Sequence, residues 1–367
     1  MVARVALHNA RMQGHLITID GESRDVTPAA VKELIDASTR FWLDLTGLDQ
    51  DTADTLLRDT FGFHPLAIED TQHFGQRPKI DAYDGYALMV VYGATAGERL
   101  VEVHCYYTES YLVTVHHDPC PDLADLAARL RRGAAGRHRD HIMLLYRVVD
   151  TLVDGYFPVL ASLDDEIDEL EDEILDRPTD QQLGRLFDMK RSLIAMRKVV
   201  TPQRDMFASL LSGRNALPGM SQDSEPYFRD LYDHLIRISD LVDSYRDLMS
   251  GVLDTHISTV SNRLNVVMKQ LTIIATIFLP LSFLTGFFGQ NFGWMIGHIT
   301  GLPMFLEGGI ALPLLVVTTL LLVFRQRGWL TSTGTVPPAA AAQRQRLPGH
   351  RRWHLLREHR TDRQPAP

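Results

Sequence analysis

"LTIIATIFLPLSFLTGFFG" (Leu271–Gly289) is a run of 19 residues without a charge. As a helix rising about 1.5 Å per residue it spans ~28 Å, close to the ~30 Å hydrocarbon core of a bilayer. The uncharged stretch is longer still: no Asp, Glu, Lys or Arg occurs from Gln270 to Leu306. A second apolar run, "GGIALPLLVVTTLLLVF" (Gly308–Phe324), follows. Extended back to Gly301, it too is long enough to span, with Glu307 included. The alternative is a pair of buried core helices, but soluble cores rarely need two such runs in tandem.

Charge orients the pair. Arg263 and Lys269 precede the first span, and Arg325 and Arg327 follow the second. The connecting loop, 291–300, carries no Lys or Arg. By the positive-inside rule both termini are cytoplasmic and the loop faces out. The expected layout is an α/β cytoplasmic domain at 1–140 and a helical stalk region at 141–265. A first span at 266–290, the loop, a second span at 301–325 and a basic tail at 326–367 follow. The N-terminal twenty residues have no apolar h-region, so no cleavable signal peptide is expected.

The upstream patterns support that layout. "YALMVVYGAT" (Tyr86–Thr95), "LVEVHCYYT" (Leu100–Thr108) and "YLVTVHH" (Tyr111–His117) read as strands, rich in Val, Tyr and Leu. "PAAVKELIDAS" and "PDLADLAARLRRG" read as helices. From about Asp140 the pattern is helical. Leu163, Ile167, Leu170 and Ile174 form one apolar stripe among eight carboxylates, from Asp164 to Glu173. Those carboxylates read either as a solvated face or as a surface that concentrates cations. "DRPTD" (Asp176–Asp180) breaks the helix, with Pro178 expected to start the next one. A second break lies in Ser212–Pro226. Beyond it Leu231, Leu235, Ile238, Val242, Tyr245, Met249 and Val252 recur at steps of 4, 3, 4, 3, 4 and 3. That heptad seam predicts one stalk helix running from Pro226 into the membrane, roughly 96 Å long at 1.5 Å per residue.

The chain has 367 residues and a formal net charge of −9. Residues 331–367 hold seven Arg against Glu358 and Asp362, a net of +5, so the remainder carries −9 − 5 = −14. An acidic body argues against nucleic-acid binding and suits one that attracts cations. The basic tail reads as disordered and suited to anionic lipid on the cytoplasmic face. Two cysteines, Cys105 and Cys120, make neither a disulfide framework nor zinc-site spacing. "HHDPC" (His116–Cys120) is metal-like in composition but has no second ligand cluster. "HRD" (His138–Asp140) lacks the glycine loop and DFG of a kinase. No phosphate loop is present, and no enzyme or cofactor is expected.

Two spans cannot enclose a pore, so transport requires a ring of copies with one helix from each at the axis. The first span is the better lining candidate, with Asn265, Thr272, Thr276, Ser282 and Thr285. Leu271 and Leu279 would add apolar constrictions that gate by excluding water. A lining of carbonyl and amide oxygens without a carboxylate suits Mg²⁺, which sheds its water reluctantly. Glycines at the outer end, Gly286 and Gly289, let backbone carbonyls approach the axis. His298 in the outer loop reads either as an exposed loop residue or as a contact for an arriving ion.

"SNRLNVVMKQLTIIATIFLPLSFLTGFFGQNF" (Ser261–Phe292) resembles the pore helix of the CorA-type divalent-cation channels, whose signature is Gly-Met-Asn after Tyr or Phe. "FRQRGWL" (Phe324–Leu330), "PYFRDLYDH" (Pro226–His234), "SLDDEIDELEDEIL" and "QRPKIDAYDGY" (Gln76–Tyr86) extend the resemblance over about residues 40–330. It implies a funnel-shaped homopentamer in the bacterial inner membrane. The cargo it implies is Mg²⁺, with Co²⁺ and Ni²⁺ as further cargo. It implies an outer ring of Gly289, Gln290 and Asn291 that receives the hydrated ion, with Asn265 at the cytoplasmic end of the pore. It places Leu271 and Leu279 at constrictions and Ser282 where the family often has Thr. Asp230 falls on a carboxylate that binds regulatory cytoplasmic Mg²⁺ between subunits, giving negative feedback.

Departures are visible too. Gln290 stands where the family has Met, and the loop "GWMIGHITG" lacks the acidic run common there. The second regulatory carboxylate should lie near Gly97, where only Glu98 is acidic. A Zn²⁺ transporter of the same architecture therefore stays open, as does a membrane-tethered cation sensor that conducts nothing.

Overall fold

The computed structural model describes residues 12–47, 52, 54–132, 141–290, 292–298 and 301–330. Asn291, the "HRD" stretch and the tail from Thr331 lie outside them. The chain divides into two compact units. One holds Met1–Ile174 and Thr179–Asp254, the other Leu175–Pro178 and Thr255–Pro367.

The first unit is built on a seven-stranded sheet. Its strands are β1 (Gly14–Thr18), β2 (Ser23–Arg24), β3 (Phe41–Thr46), β4 (Lys79–Tyr83), β5 (Tyr86–Thr95), β6 (Arg99–Tyr107) and β7 (Tyr111–His116). Their order is β2-β1-β3-β7-β6-β5-β4. All neighbours are antiparallel except β3 and β7, which run parallel from Phe41↔Tyr111 to Thr46↔His116. Helices α1 (Pro28–Asp36) and α2 (Pro65–Gln72) follow β2 and β3, and α3 (Pro121–Arg131) follows β7. Then come α4 (His141–Asp154), α5 (Tyr156–Asp176) and α6 (Asp180–Leu211).

The period of two sorts each strand between two cores. Ala87, Met89 and Val91 of β5 join the core shared with α3 to α6. Leu88, Val90 and Tyr92 join the core containing Val31, Leu34 and Ile68. Every residue of β5 is buried because helices cover both faces. The shift to helical pattern near residue 140 falls inside this unit, since α4 to α6 complete the first core.

One sheet edge is finished by a side chain. β4 stops at Lys79, opposite Val90, so Tyr92 has no strand beside it there. Gln203 of α6 replaces it: the Tyr92 N–H donates to Gln203 Oε1 at 2.7 Å, and Gln203 Nε2 donates to Tyr92 O at 3.2 Å. Gln203 is fully buried, and both backbone groups are thereby satisfied. Close by, the end of α4 presses on β5. A Cβ on Gly155 would sit 2.4 Å from Ala94 O, and one on Gly93 would sit 3.2 Å from the Leu152 Cα. Only glycine permits this approach, which fixes the C-terminal turn of α4 against the sheet.

Helix α7 runs unbroken from Glu225 to Phe288, 64 residues, beginning in the first unit and continuing in the second. All seven heptad positions from Leu231 to Val252 are buried, as are the four of the α5 stripe. Pro280 is carried inside α7 without ending it. The start of α6 differs from the sequence reading. Pro178 precedes the helix, Thr179 is the cap, and Asp180 is the first helical residue. The Thr179 N–H donates to Gln182 Oε1 at 2.8 Å, half of a capping box, so the side-chain chemistry at Gln182 outranks the proline signal.

The second unit contains the two long apolar segments. The later part of α7 and α9 (Leu302–Gln326) are each long and apolar enough to cross a membrane, and their apolar windows are unburied within the chain. Between them lies α8 (Gly293–His298). α9 includes a π-helical stretch, Phe305–Ala311. Its Gly308 admits the Phe288 ring, which a Cβ would approach to 3.2 Å. Thr272, Thr285, Thr318 and Thr319 each donate to the carbonyl four residues back at 2.7–2.9 Å, so these four hydroxyl protons are satisfied within their own helices.

Candidate metal centre and ion path

Two helical pairs of polar residues meet at the end of α4. Asp150 and Asp154 stand four apart on α4, and Asp230 and His234 four apart on α7. Residues so spaced share one helix face. Ligand atoms of Asp150, Asp154 and His234 all lie within 4.8 Å of one another. His234 Nδ1 is 3.5 Å from Asp154 Oδ1, and its Nε2 is 3.8 Å from Asp230 Oδ1. The ring is held edge-on against Phe157 at 5.6 Å, 87°. Three carboxylates thus surround one imidazole at a half-buried position.

Tyr146, one turn before Asp150, registers the field. Burial first, and then the charges of Asp150, Asp230 and Asp154, push its phenol above its usual range. Such a group of oxygens with one nitrogen suits a divalent cation, Mg²⁺ by its carboxylates and transition ions by its imidazole. Sequence reading placed Asp230 in a metal site but missed Asp150, Asp154 and His234. The i,i+4 spacing in "DTLVD" and "DLYDH" was the available signal. Glu98, the acidic residue near Gly97, sits instead in the β5–β6 turn at φ 59°.

The named ion-path residues all fall on α7 or just past it. At about 100° per residue, Asn265, Leu271, Leu279, Ser282, Gly286 and Gly289 occupy one arc of roughly 120°. Met268, Thr272 and Ala275 fall in the same arc, whereas Thr276 and Thr285, named above as lining candidates, fall outside it. Leu271 and Leu279 are 59% and 77% exposed, so at these two positions the arc is open. The helix closes with the Gly289 N–H on Thr285 O at 3.0 Å and the Gln290 N–H on Phe287 O at 3.3 Å. Gln290 is exposed, and Asn291 lies outside the described residues.

The "HHDPC" stretch is occupied by structure. His116 bonds Asp44 and Asp118, and Cys120 is buried at the start of α3. Of the eight α5 carboxylates, Glu166, Glu169 and Glu173 lie 3.6, 3.8 and 3.0 Å from Arg185 of α6. Asp164 hydrogen-bonds Tyr245. Four of the eight therefore have partners within the chain, three of them sharing the single charge of Arg185.

A family model described as "CorA-like Mg2+ transporter protein" matches residues 38–326. The cobalt/magnesium transport protein CorA of Thermotoga maritima is 37% identical over 304 residues, 80% of this chain and 85% of that protein. The zinc transport protein ZntB of Klebsiella pneumoniae is 30% identical over 294 residues, 76% of this chain and 85% of that protein. The complete structure of the CorA magnesium transporter from Methanocaldococcus jannaschii superposes with a TM-score of 0.69 at 20% identity, covering 86% and 98% of the two chains. That likeness speaks for the fold: an α/β domain, a long helix and two apolar helices. The chain belongs to the family of CorA-like Mg²⁺ transporter proteins.

Proposed function

We propose that this protein is a passive channel for divalent cations, with Mg²⁺ as its main cargo and Co²⁺ and Ni²⁺ as further cargo. The observation that carries the reading is the uncharged arc of α7. It sets small polar groups, two leucines and two glycines on one face, which further copies of the chain would cover. Five copies around an axis, as the family resemblance implies, would bring that face together. The protein would sit in the bacterial inner membrane with both termini cytoplasmic and residues 291–300 outside. Inward movement needs no nucleotide: two charges crossing 100 mV gain about 4.6 kcal/mol, from ~2.3 per charge.

The outer ring of Gly289, Gln290 and Asn291 would receive the ion with its water. Carbonyl and amide oxygens can bond to coordinated water without stripping it, which suits an ion that dehydrates reluctantly. Leu271 and Leu279 would close the path by excluding water. The cluster of Asp150, Asp154, Asp230 and His234 would report cytoplasmic Mg²⁺. An ion there joins α4 to α7, the helix that carries the path, and its loss would leave like charges facing each other. Replacing Asn291 by Ala in cells lacking other Mg²⁺ uptake should abolish rescue of growth at low Mg²⁺. Unchanged uptake would remove Asn291 from the path.

A Zn²⁺ transporter is the second reading. It is favoured by the 30% identity with the zinc transport protein and by Gln290 at the middle of the signature. Zn²⁺ flux without Mg²⁺ flux, driven by a proton gradient, would select it.

A further inference from the structure

His298 is the last residue of α8 and lies in the segment joining the two apolar helices. Its Nδ1 is 2.9 Å from the backbone carbonyl of Trp294. A carbonyl can only accept, so Nδ1 carries the hydrogen. In the neutral ring the lone pair is then on Nε2, as in imidazoles poised for a metal. The ring is also held in place: it stacks on Trp294 with centroids 4.6 Å apart and planes 19° apart. It is exposed. Between Gln270 and Phe324 the only other titratable side chain is Glu307, and no ion pair joins it to His298 among the described residues. The oxygen ligands attributed to the outer ring discriminate poorly between hydrated divalent ions of similar size. A nitrogen ligand does discriminate, because imidazole suits Ni²⁺, Co²⁺ and Zn²⁺ whereas Mg²⁺ prefers oxygen.

We propose that His298, fixed by Trp294, is an outer binding position for imidazole-preferring divalent cations, and sets how strongly they compete with Mg²⁺ at the mouth. This rests on the channel reading above for its effect on transport, though not for binding itself. The Trp294 ring and the Trp294 carbonyl make it a positioned ligand rather than a loop side chain free to turn.

The test uses the full-length protein, with His298→Ala and His298→Gln beside the parent. In vesicles, Mg²⁺ influx should stay within about twofold of the parent. The external Ni²⁺ concentration that halves that influx should rise about tenfold in both variants, the scale on which ligand shells change metal affinity. In detergent, equilibrium dialysis with Ni²⁺ should show less Ni²⁺ bound per chain in both variants than in the parent at the same free Ni²⁺. A parent that passes no cation would sink the channel reading, and the dialysis would still decide this one. Equal Ni²⁺ binding and equal Ni²⁺ block in parent and variants would overturn it. A stack of Trp294 and His298 serving only the lipid headgroup region would give that result.

Discussion

His116 has an acceptor on both ring nitrogens. Nε2 lies 3.2 Å from Asp44 Oδ1, and Nδ1 lies 2.6 Å from the Asp118 carbonyl. Thr114 already donates to the same Asp44 oxygen at 2.6 Å, and Trp42 Nε1 donates to Thr114 at 2.9 Å. With acceptors on both sides the ring is best served by two protons. Burial works against that charge, but the Asp44 carboxylate and the Asp118 carbonyl outweigh it, and the His116 pKa is raised from 6.5. A raised pKa in the folded state means the stabilisation is complete below about pH 6.5 and is lost as pH rises through the folded value. The unfolding temperature of the protein should therefore fall with rising pH above that point, with a slope of at most about 1.4 kcal/mol per pH unit. In His116→Gln that part of the slope should vanish. An identical pH profile in parent and variant would show that His116 is not charged in the fold. "HHDPC" illustrates what composition hides. Its histidine is metal-like on paper, yet its partner, Asp44, stands 72 residues earlier.

At the scale of elements, periodic signals were legible and pairings were not. The heptad from Leu231 to Val252 and the stripe from Leu163 to Ile174 were readable because a helix repeats its buried face every three or four residues. β5, β6 and β7 were readable from their Val and Tyr content. β1, β3 and β4 were not singled out, since five or six residues such as "GHLIT" give little period to count. The grouping of Asp150, Asp154 and His234 was half legible for the same reason. Each i,i+4 pair is local, but the meeting of α4 with α7 depends on Gly93 and Gly155 admitting the end of α4 to the sheet. That meeting has a measurable consequence. Mg²⁺ should raise the unfolding temperature of the full-length protein, by about 2.7 kcal/mol of stabilisation at a hundredfold excess over the dissociation constant. Asp154→Asn and His234→Ala should lose most of that gain while unfolding at the parent's temperature, or above it, without the ion. A full Mg²⁺ response in both variants would move the site elsewhere.

For the whole molecule, the two apolar segments and the acidic body were evident in the sequence because length and charge are summed properties. Asn265, Thr272, Ser282, Gly286 and Gly289 share one arc of α7, but no summed property of the sequence says what that arc faces. The cargo was not legible. The resemblance expects Met where Gln290 stands, and relatives at 37% and 30% identity carry different metals in their names. A single amide changes no helix and no core, so neither pattern nor packing reads it. Ion-resolved flux decides the matter most directly: the purified protein in sealed vesicles, with Mg²⁺ and Zn²⁺ followed separately under an inside-negative potential. The account predicts Mg²⁺ influx that grows with the potential and needs neither nucleotide nor a proton gradient. Vesicles that pass neither ion, or Zn²⁺ alone with protons, would contradict it.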